Sequence, residues 1–254
     1  MIRIAAVGDI HMGPDSQGVL RPAFETLPDC ADVLLLAGDL TRHGTPEEAR
    51  VVAREIKDLG VPVVAVLGNH DHHDERPEEV TAILRDSGAH VLEGQGTVVD
   101  CARGRVGVAG TKGFGGGFAG RNAGEFGEPL MKEFVRYTRR CADGLRTALE
   151  RLGEQDCDAR IALTHFSPVP DTLAGEPLEI YPFLGSYLLA EAIDSAGADL
   201  AVHGHAHAGT EHGMTSGGVR VRNVAQPVIG RAFHVYHLQV PERVPAGSPA
   251  ESSR

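Results

Sequence analysis

The sequence is poor in aromatic residues and in basic residues relative to acidic ones. It has no tryptophan, and its 24 lysines and arginines are outnumbered by 35 aspartates and glutamates, which gives a formal charge of -11. A protein that wraps nucleic acid normally presents a basic face, so this balance argues against a nucleic-acid partner. The chain also lacks an apolar run long enough to cross a bilayer, so we expect no membrane association.

Cysteine is scarce, and the four cysteines are scattered. None of them has the Cys-x-x-Cys spacing of zinc and redox motifs. The chain begins with a strand pattern and shows no charged-then-apolar leader. We therefore expect a cytoplasmic protein with free thiols that pack as small apolar side chains.

A length of 254 residues is sufficient for one large domain. We place this domain at residues 1–240 and expect the tail at 241–254, which is rich in proline, serine and glycine, to be disordered. The first half alternates β-branched runs with amphipathic stretches, which is typical of strand-helix-strand units and a largely parallel sheet. Nearly continuous apolar runs predict strands, covered on both faces, at 2–7, 33–37 and 61–67.

Two helices are predicted in this half. Thr45 is the expected N-cap of the first, with proline and two glutamates in its first turn, and Gly60 is its expected end. The second spans 77–88.

In the second half the pattern changes to short strands, and here we expect the sheet to become antiparallel. Residues 113–127 contain seven glycines and predict a loop. The remaining predicted elements are strands at 97–101, 105–109, 160–163 and 199–202, helices at 129–152 and 185–195, and a final strand pair at 219–224 and 232–238.

Polar side chains follow five of the predicted strands at their carboxyl ends. At this edge of an α/β sheet the loops converge on one crevice, where ligands bind. Carboxylate, amide and imidazole groups together form a mixed oxygen and nitrogen ligand set that suits Mn, Fe, Zn or Ni. The five motifs are Gly8-Asp9-Ile10-His11, Gly38-Asp39, Gly68-Asn69-His70-Asp71, Thr164-His165 and Gly204-His205-Ala206-His207.

This ordered set resembles the calcineurin-like metallophosphoesterase superfamily, whose motifs run DxH, GD, GNH(D/E), a lone His and GHxH. The resemblance implies an α/β sandwich of two mixed β-sheets packed together and flanked by helices. It also implies a hydrolase acting on phosphoric esters, with two metal ions. One ion would be held by Asp9, His11 and His207 and the other by Asn69, His165 and His205, with Asp39 bridging both.

Two cations about 3.5 to 4 Å apart can clamp a phosphoryl group and activate a water for in-line attack. Two divalent ions, two carboxylates and one hydroxide leave a net charge near +1, which a diester monoanion would neutralise. We therefore favour phosphodiesters over monoesters. Arg42, Lys112 or Arg121 could supply the extra charge that a monoester dianion needs.

Four residues near the motifs have alternative interpretations. His70 follows a predicted ligand directly and is our candidate for the general acid that protonates the leaving oxygen. Asp71 would orient His70 or form a turn. His43 would contact the substrate or cap the following helix. Strand alternation makes His203 a packing residue.

The motifs are compatible with more than one class of substrate. Gly38-Asp39-Leu40-Thr41 and the following Pro-Glu-Glu look more like the cyclic-nucleotide phosphodiesterase branch than the protein phosphatases, whose GDxxDRG and GNHE motifs are absent. A monoesterase on small metabolites, a nuclease and a protein-binding scaffold are the alternatives, although a scaffold of this kind would have lost ligands. Residues 113–127, Tyr181 and Phe183 are candidates for walls over the metals. The two aromatic rings would stack on a flat group or pack the loop.

Overall fold

The structure, a computed structural model, describes residues 1–239, and the tail expected at 241–254 lies outside the described residues. The described strands are β1 (Ile2–Val7), β2 (Val33–Ala37), β3 (Val63–Val66), β4 (His90–Val91), β5 (Gln95–Cys101), β6 (Gly104–Thr111), β7 (Gly117–Phe118), β8 (Arg121–Asn122), β9 (Ala159–Thr164), β10 (Leu200–His203), β11 (His212–Met214), β12 (Arg220–Asn223) and β13 (His234–Leu238). The α-helices are α1 (Arg21–Phe24), α2 (Leu27–Cys30), α3 (Pro46–Ile56), α4 (Pro77–Asp86), α5 (Pro129–Gly153), α6 (Tyr181–Leu184), α7 (Tyr187–Ala196) and α8 (Gln226–Ile229).

The strands form two large mixed sheets. The first has the order β13-β1-β2-β3-β4, in which only β13 is antiparallel to its neighbour. The second has the order β11-β12-β10-β9-β6-β5, with antiparallel strands at both edges. This arrangement confirms the predicted α/β sandwich and the antiparallel β5-β6 pair.

The core explains why the first strands are apolar throughout. All five side chains of β2 are buried. Leu35 points into the layer between the sheets, where it meets residues such as Val108 and Ile161, whereas Leu34 and Leu36 face the helical layer that includes α3 and α4. Each aliphatic side chain buried in this way contributes about 1.5–3 kcal/mol.

Helix boundaries follow their capping residues. The Thr45 hydroxyl accepts a hydrogen bond from the Glu48 backbone, and the Glu48 carboxylate accepts one from the Thr45 backbone in a capping box, as expected at this N-terminus. The helix ends at Ile56, before the predicted Gly60, because Lys57 adopts extended backbone angles. No helix within residues 1–239 combines the length and apolarity needed to cross a bilayer.

One predicted pairing is wrong. The last two strands do not pair with each other, because β12 lies between β10 and β11 in the second sheet while β13 pairs with β1 in the first. The connection between them crosses from one sheet to the other through α8. The predicted loop at 113–127 contains the small β7-β8 hairpin, and all four cysteines are free as expected.

Candidate metal centre

The predicted ligands follow the carboxyl ends of β1, β2, β3, β9 and β10, which meet where the two sheets adjoin. Main-chain hydrogen bonds tie these loops together, from Asp9 N to Gly38 O at 2.9 Å and from His11 N to Asp39 O at 3.0 Å. Two carboxylates form further hydrogen bonds between these loops. Asp39 accepts from the His70 backbone at 2.8 Å, and Asp9 accepts from the His205 backbone at 2.9 and 3.0 Å.

The backbone at these loops is strained. Within residues 1–239, six non-glycine residues have positive φ, and four of them are predicted ligands: Asp9 (56°), His11 (41°), Asp39 (49°) and His205 (71°). Such conformations cost of order 1–3 kcal/mol each and cluster at functional sites. The concentration of strain here marks the centre independently of its side chains.

The side chains form two groups that share Asp39. One group brings together Asp9, His11, Asp39 and His207, and the other brings together Asp39, His165 and His205, with the ligand atoms of each group within 4.8 Å of one another. Asn69 adjoins the second group, since its Oδ1 lies 2.9 Å from His165 Nε2. All seven predicted ligands therefore lie at one place, in the two sets that the sequence predicts.

Backbone carbonyls orient two of the ligand imidazole rings. His165 Nδ1 donates to Ala37 O at 2.8 Å, which leaves Nε2 facing Asn69 and Asp39. His205 Nε2 donates to Phe183 O at 3.3 Å, which leaves Nδ1 to face the centre. Fixing one ring nitrogen in this way sets the tautomer and the direction of the other nitrogen, as is usual for metal-ligating histidines.

The two carboxylates are deeply buried, with Asp9 3% and Asp39 1% exposed. Among residues 1–239 their ion-pair partners are all histidines. Burial opposes ionisation of Asp39, but its interaction with the His165 ring at 3.3 Å outweighs burial and holds the pKa of Asp39 well below its ordinary value. Buried anions of this kind need cations beside them.

The pKa values of two of the rings are shifted in opposite directions. Burial lowers the pKa of His205 to about 3, so that ring is neutral, as a ligand must be. The hydrogen bond to Asp9 is the main cause that raises the pKa of His207.

The residues present fit metal ions. His11 Nε2 is buried and has no hydrogen-bond partner among the described residues, although the Asp39 Oδ2 lies 3.8 Å away. The backbone also leaves no room beside the carboxylates, because a Cβ on Gly68 would lie 2.1 Å from Asp39 Oδ1 and one on Gly204 2.2 Å from Asp9 Oδ2. A nitrogen and oxygen donor set without thiols suits first-row transition metals.

The expectation that Asp71 orients the His70 ring is wrong. Asp71 is fully buried, and its carboxylate accepts from the backbones of Leu40, Thr41 and Gly68 and from the Thr41 hydroxyl. His70 Nδ1 instead donates to the Arg42 carbonyl at 2.8 Å, and its Nε2 lies 4.0 Å from Asp39 Oδ2. Asp71 thus holds the turns, which was the alternative interpretation.

Two further histidines take structural positions. His203 is fully buried, with Nδ1 donating to Gly204 O at 2.7 Å and Nε2 2.8 Å from the Thr172 hydroxyl, so its ring is satisfied without a metal. The His43 backbone and ring both contact the Glu48 carboxylate at the start of α3, which favours the capping interpretation.

Sequence reasoning missed the partners that orient the rings. The carbonyls of Ala37, Arg42 and Phe183 have no side-chain signature, so no residue type could have revealed them. Phe166 was also missed. Its ring lies 4.2 Å from the His205 ring, centroid to centroid, and its position directly after His165 was the only available signal.

Comparison with known proteins agrees with this geometry. The family model of the calcineurin-like phosphoesterases matches residues 2–209, so the chain belongs to this family. A probable cyclic nucleotide phosphodiesterase of Synechococcus is 34% identical over 92 residues, 32% of this chain and 34% of that protein.

Two further proteins are similar to this chain. A DNA double-strand break repair protein of Methanopyrus kandleri is 36% identical over 86 residues, which cover 28% of this chain and 19% of that protein. The matches therefore span about a third or less of these curated relatives. A crystal structure of a Thermus thermophilus protein has a TM-score of 0.59 at 21% identity and covers 87% of this chain and 88% of that chain, which shows the shared fold.

Proposed function

We propose that this chain is a phosphodiesterase that binds two divalent metal ions, with cyclic nucleotides as the favoured substrate class. The observation that carries the proposal is the pair of ligand groups joined by Asp39. A carboxylate with two oxygens can serve both groups, and its charge lowers the repulsion between two cations. When bound, two such ions clamp the phosphoryl group and supply the nucleophile from water.

The charge around the centre supports diesters. Two divalent ions would outweigh the charge of the two carboxylates Asp9 and Asp39, and a bound hydroxide would leave a net charge near +1. A diester monoanion would neutralise this charge, whereas a monoester dianion would need a further cation. Lys112 is ill placed for this role, because its Nζ lies 4.8–5.2 Å from the centroids of three aromatic rings and donates to Gly113 O. Arg42 is engaged with Asp15 at 3.0 Å.

His70 is placed to act on the leaving group. Its Nδ1 is held by the Arg42 carbonyl, so its Nε2 is directed towards Asp39 and the centre. The side chain is 40% exposed and therefore accessible to a substrate. In its protonated form the ring can donate from Nε2 to the oxygen on which negative charge develops.

A nuclease is the second candidate, favoured by the similarity to the Methanopyrus repair protein. The acidic composition opposes it. Nuclease activity would appear as cleavage of single-stranded DNA that falls steeply between low and moderate salt, and the absence of cleavage would remove this candidate.

The deciding experiment compares initial rates of the Mn-reconstituted protein on bis-p-nitrophenyl phosphate and on p-nitrophenyl phosphate, with a chelated sample as control. We expect faster diester cleavage that chelation abolishes, followed by turnover of 3′,5′-cyclic AMP. Faster monoester cleavage would replace the proposal with a phosphatase acting on small metabolites. No metal-dependent cleavage of either compound would favour the scaffold.

A further inference from the structure

The segment at 178–186 is fixed in place by its backbone. Gly116 N donates to Pro182 O at 2.6 Å, and Ser167 N donates to Leu184 O at 3.0 Å. These bonds tie the segment to two other loops, one of which directly follows the predicted ligand His165. The segment is therefore a rigid support for the side chains that it carries.

One residue of this segment is joined to the metal centre. The Phe183 carbonyl accepts a hydrogen bond from His205 Nε2 at 3.3 Å. The Cα of a residue lies about 2.4 Å from its own carbonyl oxygen, so the Phe183 side chain begins within a few ångströms of the His205 ring. That side chain is nevertheless 62% exposed.

Phe183 shares its segment with two other exposed apolar side chains. Leu178 and Ile180 on the same segment are 64% and 38% exposed. Tyr181 is not one of these exposed side chains, because it packs against Phe118 and its hydroxyl donates to Leu173 O at 2.9 Å. We call Leu178, Ile180 and Phe183 the apolar rim. Exposed apolar side chains grouped beside a polar site mark a ligand surface.

We propose that Phe183 is a specificity-determining residue that stacks on the flat organic group of the substrate, a nucleobase, while the phosphate lies at the metal centre. This rests on the proposed function. Phe183 is exposed and is joined through its carbonyl to a predicted ligand of the centre, and its aromatic ring offers a face but no hydrogen bond. Stacking of this kind accepts any base, since every base has a π-face.

The test uses binding, so that it does not depend on turnover. The affinities of AMP and of glycerol 3-phosphate, which has no flat group, are measured by titration calorimetry on the Mn-reconstituted protein. Phe183→Ala is compared with Phe183→Trp, which keeps a stacking face. Leu130→Ala is the control, since Leu130 is another exposed apolar side chain, 83% exposed at the start of α5 and outside the segments named as candidate walls.

We expect Phe183→Ala to weaken AMP binding by about 5- to 150-fold, the usual effect of losing one stacked base. Glycerol 3-phosphate affinity, metal content and melting temperature should stay unchanged, because the Phe183 carbonyl remains. Phe183→Trp and Leu130→Ala should bind AMP like the wild type.

Three results would overturn the inference: an equal loss for both ligands, an equal loss in Leu130→Ala, or a wild type that binds AMP no better than glycerol 3-phosphate. Cleavage of 3′,5′-cyclic AMP is measured in a separate assay. If 3′,5′-cyclic AMP is not cleaved but Phe183→Ala still loses AMP selectively, the proposed function fails and the role of Phe183 holds.

Discussion

Replacing Asp71 with asparagine should damage stability and leave the proton chemistry of His70 intact. The Asp71 carboxylate accepts from Leu40 N at 3.2 Å, Thr41 N at 2.8 Å, the Thr41 hydroxyl at 2.6 Å and Gly68 N at 2.8 Å, and it is fully buried. These bonds join the turn after β2 to the turn after β3. The two turns carry Asp39 and Asn69.

The magnitude follows from counting donors. Asparagine offers one acceptor oxygen and places an NH2 group against the donors on the other side. The Thr41 hydroxyl can rotate to accept, but a backbone N–H cannot. Each buried donor left without an acceptor costs about 1–3 kcal/mol, so we expect Asp71→Asn to lose about 2–4 kcal/mol of unfolding free energy. Thr41→Val, which removes one hydroxyl, should lose about 1–2 kcal/mol.

Urea unfolding, metal content and the pH dependence of the rate are the measurements. Activity should fall in proportion to bound metal, while the midpoints of the pH profile stay in place, because Asp71 bonds to neither ring nitrogen of His70. A coupling free energy of about 0.5–3 kcal/mol between Asp71 and Thr41 should appear in a double-mutant cycle. A stable Asp71→Asn variant with a displaced pH profile would refute this reasoning and restore the catalytic role.

Three other substitutions probe the rest of the chain. Asp39→Asn should lose both metals and nearly all activity, and an active variant with two bound metals would contradict the shared ligand. His70→Ala should keep its metal but lose roughly 10²- to 10⁴-fold in rate, whereas an unchanged rate would make the residue structural. Burial opposes ionisation of Asp32, but hydrogen bonds from Arg3 and Arg103 hold its pKa below the ordinary value, so its stabilisation is present at neutral pH and lost as the pH falls below about 4. Asp32→Asn should therefore cost about 2–3 kcal/mol at pH 7 in urea unfolding, and this cost should shrink steadily as the pH falls below about 4; a cost that does not change with pH would exclude the ion pair as its source.

The signals that led to the predicted ligands are local, which is why sequence reasoning could bring these residues together. The strands β1 and β2 are unbroken apolar runs that end in Gly-Asp, and their predicted bounds match the structure. The carboxyl ends of parallel strands meet at one edge, so five short motifs could be brought together without knowing the sheet order.

Other features depend on distant contacts. The strands β12 and β13 are consecutive in the sequence, but they pair with strands of different sheets. Which sheet each strand joins depends on contacts throughout the core. His70 and Asp71 are also adjacent, yet in the tight turn their side chains diverge to different partners. A prediction from adjacency alone therefore fails at both places.

The strain at the centre explains how the fold and the site depend on each other. Asp9, His11, Asp39 and His205 each adopt positive φ, and each costs about 1–3 kcal/mol, which is large against a typical net stability of about 5–15 kcal/mol. Such angles persist only where the flanking backbone is fixed on both sides. The buried strands that precede these residues hold the backbone in place, since β1 and β2 lie at the middle of the first sheet and β10 lies within the second. Cations bound between Asp9 and Asp39 would offset part of the cost, because they bind the folded arrangement and not the unfolded chain. The strands therefore hold the predicted ligands in place without an ion, and bound ions would in turn stabilise the strained loops.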